Sequence, residues 1–166
     1  MPKYDGRPIA DDPLAYFLTW TTYGTWLPGD ARGWVAKPGR LRKPSAAREA
    51  DARRRMTESP LTLDVVQRTI VESTIRRHCD IRGWYLHTVS CRSNHVHVVV
   101  TARVDPEVAM DQFKAWCTRK LKEHLSTQTR EGGHVRVHWW TQGGSKRQLY
   151  DSAGLEGAIR YVAEGQ

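Results

Sequence analysis

Cysteine is scarce in this chain, and no long apolar run occurs in it. The three cysteines, Cys79, Cys91 and Cys117, are odd in number and widely spaced. They form no Cys-x-x-Cys pair, so the sequence suggests neither a zinc site nor a disulfide framework. No uninterrupted apolar run approaches the roughly 20 residues that a membrane-spanning helix needs. The opening segment MPKYDGRPIADDP contains no apolar signal sequence, and we therefore expect a cytoplasmic protein without a membrane partner.

Acidic residues are also in the minority. The 166 residues include 18 Asp and Glu against 26 Lys and Arg, which leaves a formal net charge of +8 at pH 7. Such an excess favours a polyanionic partner through counterion release and electrostatic steering. Basic side chains are dense between residues 40 and 55, which form either a solvated face or an arm along a phosphate backbone. They are Arg40, Arg42, Lys43, Arg48, Arg53, Arg54 and Arg55.

Tryptophan, by contrast, is abundant, with seven residues in the chain. Packing in the core and at its rim is the ordinary explanation for most of them. The alternative for one or two is stacking on unpaired bases, which basic proteins that bind single strands use routinely. Composition leaves both interpretations open for any one exposed tryptophan.

The first half of the chain carries the signals of a strand, a long loop and a helix. Residues 15–23, AYFLTWTTY, are dense in aromatic and β-branched side chains and predict a strand. Glycine and proline then recur so often that we predict a basic loop insertion at about 28–58 without regular elements. Ser59 and Pro60 are typical of a helix start. Apolar residues at helical spacing extend this helix to about residue 78; they are Leu63, Val66 and Ile70.

The second half carries three more strands and two more helices. The long helix between them has an apolar stripe at helical spacing, made of Met110, Phe113, Cys117, Leu121 and Leu125. In chain order, the patterns predict a strand at 84–91, a strand at 95–104, a helix from Asp105 and Pro106, a strand at 134–140, a loop at 142–151 and a last helix capped by Ser152.

The order of these elements is strand, helix, strand, strand, helix, strand, with one helix appended. Such a split βαβ arrangement folds as an antiparallel sheet with both helices on one face. We therefore predict an α+β, ferredoxin-like (RRM-like) fold with an added C-terminal helix. No repeat or second set of elements is visible, so a single domain over 1–166 is expected.

The stretch SNHVHVVV, residues 93–100, raises a question because two histidines interrupt an otherwise apolar strand. Side chains two residues apart on a strand point to the same side, so His95 and His97 can converge on one ion. Their spacing alone does not distinguish a metal site from two ordinary surface residues. The three valines at 96, 98 and 100 face the opposite side, towards the helices.

The histidine pair and its context resemble the HUH nucleases, and in particular the single-tyrosine transposases of the smallest bacterial insertion sequences and their REP-associated relatives. The resemblance extends from about residue 15 to the end of the chain. It is carried by the pair itself and by the segments YFLTWTTYGTWLPGD, QFKAWCTRKLKEH, LYD and AIRYVAEGQ.

The resemblance implies a specific chemistry. Such enzymes cut and rejoin single-stranded DNA, folded into hairpins, with a tyrosine hydroxyl that becomes a 5′-phosphotyrosine, and they act as homodimers. Tyr161 matches the position of their nucleophile, whereas Tyr150 matches a structural aromatic. On a helical projection Tyr161 also lies away from the apolar face of the last helix. His95 and His97 would then bind a divalent ion, Mg²⁺ or Mn²⁺.

A third metal ligand is also implied, and here the sequence departs from the family pattern. The pattern has a glutamine four residues after the tyrosine, but that position is Gly165 and the glutamine is Gln166. We predict Gln166 as the ligand, with Glu164 as an open alternative. Five basic residues are candidate DNA contacts, namely Lys114, Arg119, Lys120, Lys146 and Arg147.

Two other functions are compatible with the same pattern. RNA-recognition folds share the predicted order of elements and bind unpaired bases without any chemistry. The other is a transposase derivative that has lost mobility and serves its host, which the sequence does not separate from an active transposase. The enzyme requires His95, His97 and Tyr161 together, whereas a binding module requires none of them.

Overall fold

The computed structural model describes residues 12–36, 40–128 and 135–164. Within these ranges, no helix is both long and apolar enough to cross a membrane. The elements are β1 (Ala15–Thr21), β2 (Trp34–Ala36), β3 (Arg40–Arg42), α1 (Ala46–Arg54), α2 (Val65–Arg82), β4 (Tyr85–Cys91), β5 (His95–Thr101), α3 (Pro106–Gln128), β6 (Ser145–Leu149) and α4 (Ser152–Glu164).

The main sheet has four strands in the order β4-β5-β1-β6, and every neighbouring pair is antiparallel. The two central strands are therefore β1 and β5, which are far apart in the chain. Helices α2 and α3 pack against one face of this sheet, and α4 packs against the other. This topology confirms the predicted α+β, ferredoxin-like fold with an added C-terminal helix.

The main core lies between the sheet and α2 and α3. Leu18 and Trp20 of β1 alternate towards it, as do Val96, Val98 and Val100 of β5. Full burial of side chains of this size stabilises the fold by roughly 1.5–3 kcal/mol each. The apolar stripe predicted on α3 is confirmed, because four of its members are buried and Leu125 packs partly buried beside them; the four are Met110, Phe113, Cys117 and Leu121.

A second, smaller core lies on the opposite face of the sheet. Ala158 and Val162 of α4 are buried there against Ala15, Val99 and Leu149, which come from three different strands. Two further side chains of α4, at positions 155 and 159, pack partly buried against the same cluster. The predicted apolar face of the last helix is therefore the face that docks on the sheet.

The fourth strand of the sheet is not where the sequence predicts it. Residues 135–139 form no strand, and Trp140 makes only an isolated bridge to Thr22. The alternating valines suggest a strand with one buried face, but Val135 and Val137 are exposed. The sheet is completed instead by β6, within the predicted loop at 142–151. Its sequence SKRQL contains Lys146 and Arg147. Charged side chains are typical of a sheet edge, where they discourage pairing with other molecules.

The segment predicted as a loop at about 28–58 contains regular structure. Strands β2 and β3 pair as a short hairpin, and α1 follows it. The glycines and prolines cluster before and within the hairpin, which leaves room for strands of three residues each. Helix α1 buries none of its side chains. Its local interactions are the Ser45 cap and the ion pairs Arg53–Glu49 and Arg55–Asp51. It also contacts the preceding segment, where Arg48 lies over the Trp34 ring.

Helix α2 begins five residues later than predicted. Asp64 caps it, because the Asp64 carboxylate accepts from Gln67 N (2.8 Å) while the Gln67 side chain accepts from Asp64 N (3.0 Å). This reciprocal capping box satisfies two backbone donors and outweighs the single signal from Ser59 and Pro60. Residues 61–63 remain extended and bond to the backbone near the ends of β1 and β4.

We expect Asp64→Ala to lower the free energy of unfolding by about 0.5–2 kcal/mol, because it removes the cap of a long helix. Asp80→Ala in the last turn of α2 is the matched control and should be neutral or slightly stabilising, since a carboxylate there opposes the helix dipole. Urea unfolding followed by circular dichroism measures both. Equal losses in the two variants would contradict the role of the capping box.

Candidate active site

The two histidines of β5 lie side by side on the face of the sheet that α4 partly covers. In the register of the sheet, His97 is opposite Thr19 and His95 is opposite Thr21. Their ring centroids are 4.8 Å apart. His97 is 6% exposed, whereas His95 is half-buried at the end of the strand. The pair therefore presents two imidazoles to one region.

Neighbouring side-chain oxygens orient both rings. Thr19 Oγ1 lies 2.8 Å from Nδ1 of His97, and Asn94 Oδ1 lies 2.8 Å from Nδ1 of His95. An amide oxygen only accepts, so Nδ1 of His95 donates to Asn94 Oδ1, which leaves Nε2 as the ring nitrogen that could bind a metal. Metal-binding histidines are commonly oriented in this way, through a bond from the nitrogen that does not bind the metal.

The protonation state of His97 also suits a ligand. Burial lowers its pKa to about 4, and the neighbouring His95 and Arg92 contribute in the same direction. The ring is therefore neutral at pH 7. A neutral imidazole is the form that binds a metal ion, since protonation occupies the lone pair that the metal needs.

Tyr161 lies next to this pair. Its ring centroid is 5.7 Å from that of His97 and 6.0 Å from that of Phe17, both in edge-on contacts. The side chain is 47% exposed, because the apolar face of α4 is formed by its neighbours and the phenol lies outside that face. Tyr150, by contrast, is exposed, and its hydroxyl donates to Gln148 Oε1. The structure thus brings Tyr161, and not Tyr150, to the histidines.

A cleft of about 650 Å³ contains His97 and Tyr161. One wall is formed by small residues of α4, which leave space in front of the phenol. The opposite side comes from the sheet and from the loop after β1. The lining residues are Phe17, Thr19, Trp26, His97, Ser145, Arg147, Ala153, Gly154, Gly157, Ala158 and Tyr161.

The described residues do not complete the predicted set of metal ligands. Within 12–36, 40–128 and 135–164, no three His, Cys, Asp or Glu side chains form a group that could hold a metal. Glu164 therefore does not join His95 and His97. Gln166 lies outside the described residues, so its role as third ligand stays a prediction.

The five predicted DNA contacts are distributed over different surfaces. Arg147 lines the cleft, opposite Phe17 in the sheet register. Lys114 is half-buried and donates to the carbonyls of residues 141 and 143, which is a structural role. Lys146 pairs with Glu107 at 3.0 Å, while Arg119 and Lys120 pair with a glutamate on their own helix. Contact with DNA stays a prediction for all five.

Sequence reasoning does not single out Phe17, Thr19 or Trp26. Phe17 and Thr19 alternate with the core residues of β1, so their position on the opposite face follows from the period of a strand. Only their register against His97 requires the structure. Trp26 lies in a loop, where no periodicity predicts the direction of a side chain.

Comparison with known proteins gives a family. A profile described as "Transposase IS200 like" matches residues 53–163, which is more than half of the chain. No curated protein matches significantly. Among solved structures, a provisionally assigned transposase from Deinococcus radiodurans R1 is similar, with a TM-score of 0.47 and 14% identity over 100% of this chain and 98% of that one. By the extent of the profile match, the protein belongs to the IS200-like transposase family.

Proposed function

We propose that this transposase cuts and rejoins single-stranded DNA through a covalent 5′-phosphotyrosine on Tyr161, with the help of a divalent metal ion. One observation carries the proposal: the ring of Tyr161 lies 5.7 Å from that of His97, in the same cleft. A nucleophile and a candidate metal ligand from two distant parts of the chain thus meet at one place. Hairpin-forming DNA and a homodimer belong to the same proposal.

The covalent step exchanges one P–O bond of the phosphodiester for a P–O bond to the tyrosine. The Tyr161 oxygen attacks the scissile phosphorus, a P–O bond to tyrosine forms, and the P–O3′ bond breaks. The phenol gives up its proton, and the departing 3′ oxygen gains one. The phosphodiester energy is kept in the phosphotyrosine, so a second 3′-OH can reverse the step on a new strand without a nucleotide cofactor.

His95 and His97 fit the requirements of a divalent metal site. Both rings are oriented through Nδ1, and His97 is neutral at pH 7 because its pKa is lowered to about 4. Gln166 is the proposed third ligand. When bound, Mg²⁺ or Mn²⁺ supplies a Lewis acid that neutralises charge on the scissile phosphate. Mn²⁺ accepts imidazole nitrogen more readily than Mg²⁺ does.

A binding module without chemistry is the weaker alternative. RNA-recognition folds stack bases on aromatic residues of an open sheet face. Here α4 packs on that face, with Val99 buried and Phe17 partly buried against it. Beside α4, this face contains the cleft with His97 and Tyr161. This arrangement supports an enzyme, whether it belongs to a mobile element or has been adopted by a host.

We expect Tyr161→Phe to abolish covalent attachment to DNA, because it keeps the ring and its packing but removes the attacking oxygen. Tyr150→Phe, the matched control, should still form the adduct. The measurement incubates each variant with 3′-end-labelled single-stranded substrate and Mn²⁺ and looks for labelled protein on a denaturing gel, because the 3′ fragment is the one that stays on the tyrosine. An adduct that survives in Tyr161→Phe and is lost in Tyr150→Phe would reverse the assignment.

We expect His95→Ala and His97→Ala each to abolish cleavage while DNA affinity changes only a few-fold, because phosphate contacts carry most of the affinity. His124→Ala is the control, since His124 lies near the end of α3 and its ring is within hydrogen-bond distance of the Gln128 side chain of the same helix. Cleavage in Mg²⁺ and Mn²⁺ and binding in EDTA are measured in parallel. Normal cleavage by His95→Ala would refute the metal assignment.

Binding should be electrostatic, with a log–log salt slope of roughly −0.7 for each phosphate that is contacted on a single strand. Arg147→Ala should weaken binding and make the slope less steep by about 0.7, because its guanidinium lines the cleft. Arg76 is exposed on α2, on the other face of the sheet. Arg76→Ala should therefore leave the slope unchanged. A slope that does not depend on Arg147, or stronger binding to blunt duplex than to a hairpin with a single-stranded flank, would count against this interface.

A further inference from the structure

Trp26 occupies a position that core packing does not explain. It belongs to neither hydrophobic core, it is 38% exposed, and it lines the cleft that contains His97 and Tyr161. Its indole Nε1 donates to the carbonyl of Gly33 at 2.8 Å. This bond fixes the orientation of a large flat ring at the edge of the cleft.

Arg32 stacks on the same ring. The guanidinium carbon lies 4.3 Å from the centroid of Trp26, within the range of a cation–π contact. Asp30 holds the guanidinium through two bonds of 2.8 Å, from Nε and Nη2, and Nη2 also donates to the carbonyl of Thr25 at 2.8 Å. This interaction lowers the pKa of the Asp30 carboxyl to about 2, so the pair stays charged over a wide pH range.

Arg32 and Asp30 form a clamp on Trp26 that leaves part of the indole surface available. Arg32 lies over one face of the ring and is not among the residues that line the cleft, while 38% of the Trp26 side chain remains exposed. Gly154 and Gly157 of α4 line the same cleft without adding side-chain bulk, and a Cβ added at Gly157 would meet no atom within 4 Å. A flat ligand therefore has room beside the ring.

We propose that Trp26 is a stacking platform for an unpaired base of the DNA strand in this cleft, and that Arg32 and Asp30 are positioning residues that hold the platform. The inference deepens the proposed function, on which it rests. Arg147 in the same cleft offers a partner for the adjoining phosphate. Because every base has a flat apolar face, such stacking positions a single strand and tolerates different sequences.

The test compares two probes with wild-type protein in EDTA, by fluorescence anisotropy. One probe is an oligothymidine of about 12 nucleotides, within the roughly 4–16 nucleotides that single-strand sites cover. The other is an abasic phosphodiester of the same length, which offers phosphates but no bases. Stacking predicts that the wild type prefers oligothymidine and that Trp26→Ala loses about tenfold or more in affinity for it. Affinity for the abasic probe should stay within about twofold, because phosphate contacts remain.

Two further variants separate stacking from structure. Trp34→Ala is the matched control, because Trp34 also donates its Nε1 to a loop carbonyl and carries an arginine over its ring, but does not line the cleft. It should bind both probes like the wild type. Trp26→Phe keeps a flat ring and should keep most of the preference for bases, which also covers the case in which Trp26→Ala fails to fold. Arg32→Met should reduce that preference without abolishing binding to the abasic probe.

Three results would overturn the proposal. They are a wild type that does not distinguish the probes, a Trp26→Ala variant that weakens both equally, and a Trp34→Ala variant that loses the preference for bases as Trp26→Ala does. Because the assay contains no metal and measures no cleavage, it is independent of the phosphotyrosine chemistry. Absence of a covalent adduct in the wild type would refute the proposed function, whereas any of the three results above would refute only the role of Trp26.

Discussion

The alternation of side chains along β5 is the constraint on which the rest of the site depends. Val96, Val98 and Val100 are fully buried against α2 and α3 in the centre of the sheet. A slip of one residue would exchange the two faces of the strand and place the two histidines in the apolar core against α2 and α3, where unpaired polar groups are costly. The burial of the valines thus fixes the two histidines on the opposite face. A hydrophobic core sets the position of a polar pair.

The docking of α4 provides the second half of the site. Val162 and Ala158 anchor the helix on the sheet, and Tyr161, adjacent to Val162, is directed to the edge of the contact. Gly154 and Gly157 lie seven and four residues before Tyr161, on the same side of the helix, so they keep the space beside the phenol open. Small and large residues of one short helix therefore have distinct roles: some dock it, one presents the hydroxyl, and two make room for a ligand.

Much of this arrangement is readable in the sequence, and the exceptions have physical reasons. Strands β1, β4 and β5, the stripe of α3 and the apolar face of α4 have strong periodic patterns, because they border a core. The edge strand β6 has no such pattern, since its charged side chains face solvent on an edge. Residues 135–139 have a strand-like alternation, yet the amides of Val137 and His138 bond to the Glu58 carboxylate instead of to a strand. Trp26 could not be assigned from the sequence, because its direction depends on the clamp formed by Arg32 and Asp30 within an irregular loop.

The proposed function depends on a covalent bond between Tyr161 and DNA. Mass spectrometry of the covalent complex identifies the tyrosine that carries this bond. Trypsin cleaves after Arg147 and Arg160, so the two late tyrosines fall in separate peptides, Tyr150 in residues 148–160 and Tyr161 in residues 161–166. After incubation with single-stranded DNA and Mn²⁺, nuclease treatment and digestion, we expect a nucleotide-phosphate mass on the peptide 161–166 alone. The same mass on the peptide 148–160, or on any peptide that lacks Tyr161, would refute Tyr161 as the nucleophile.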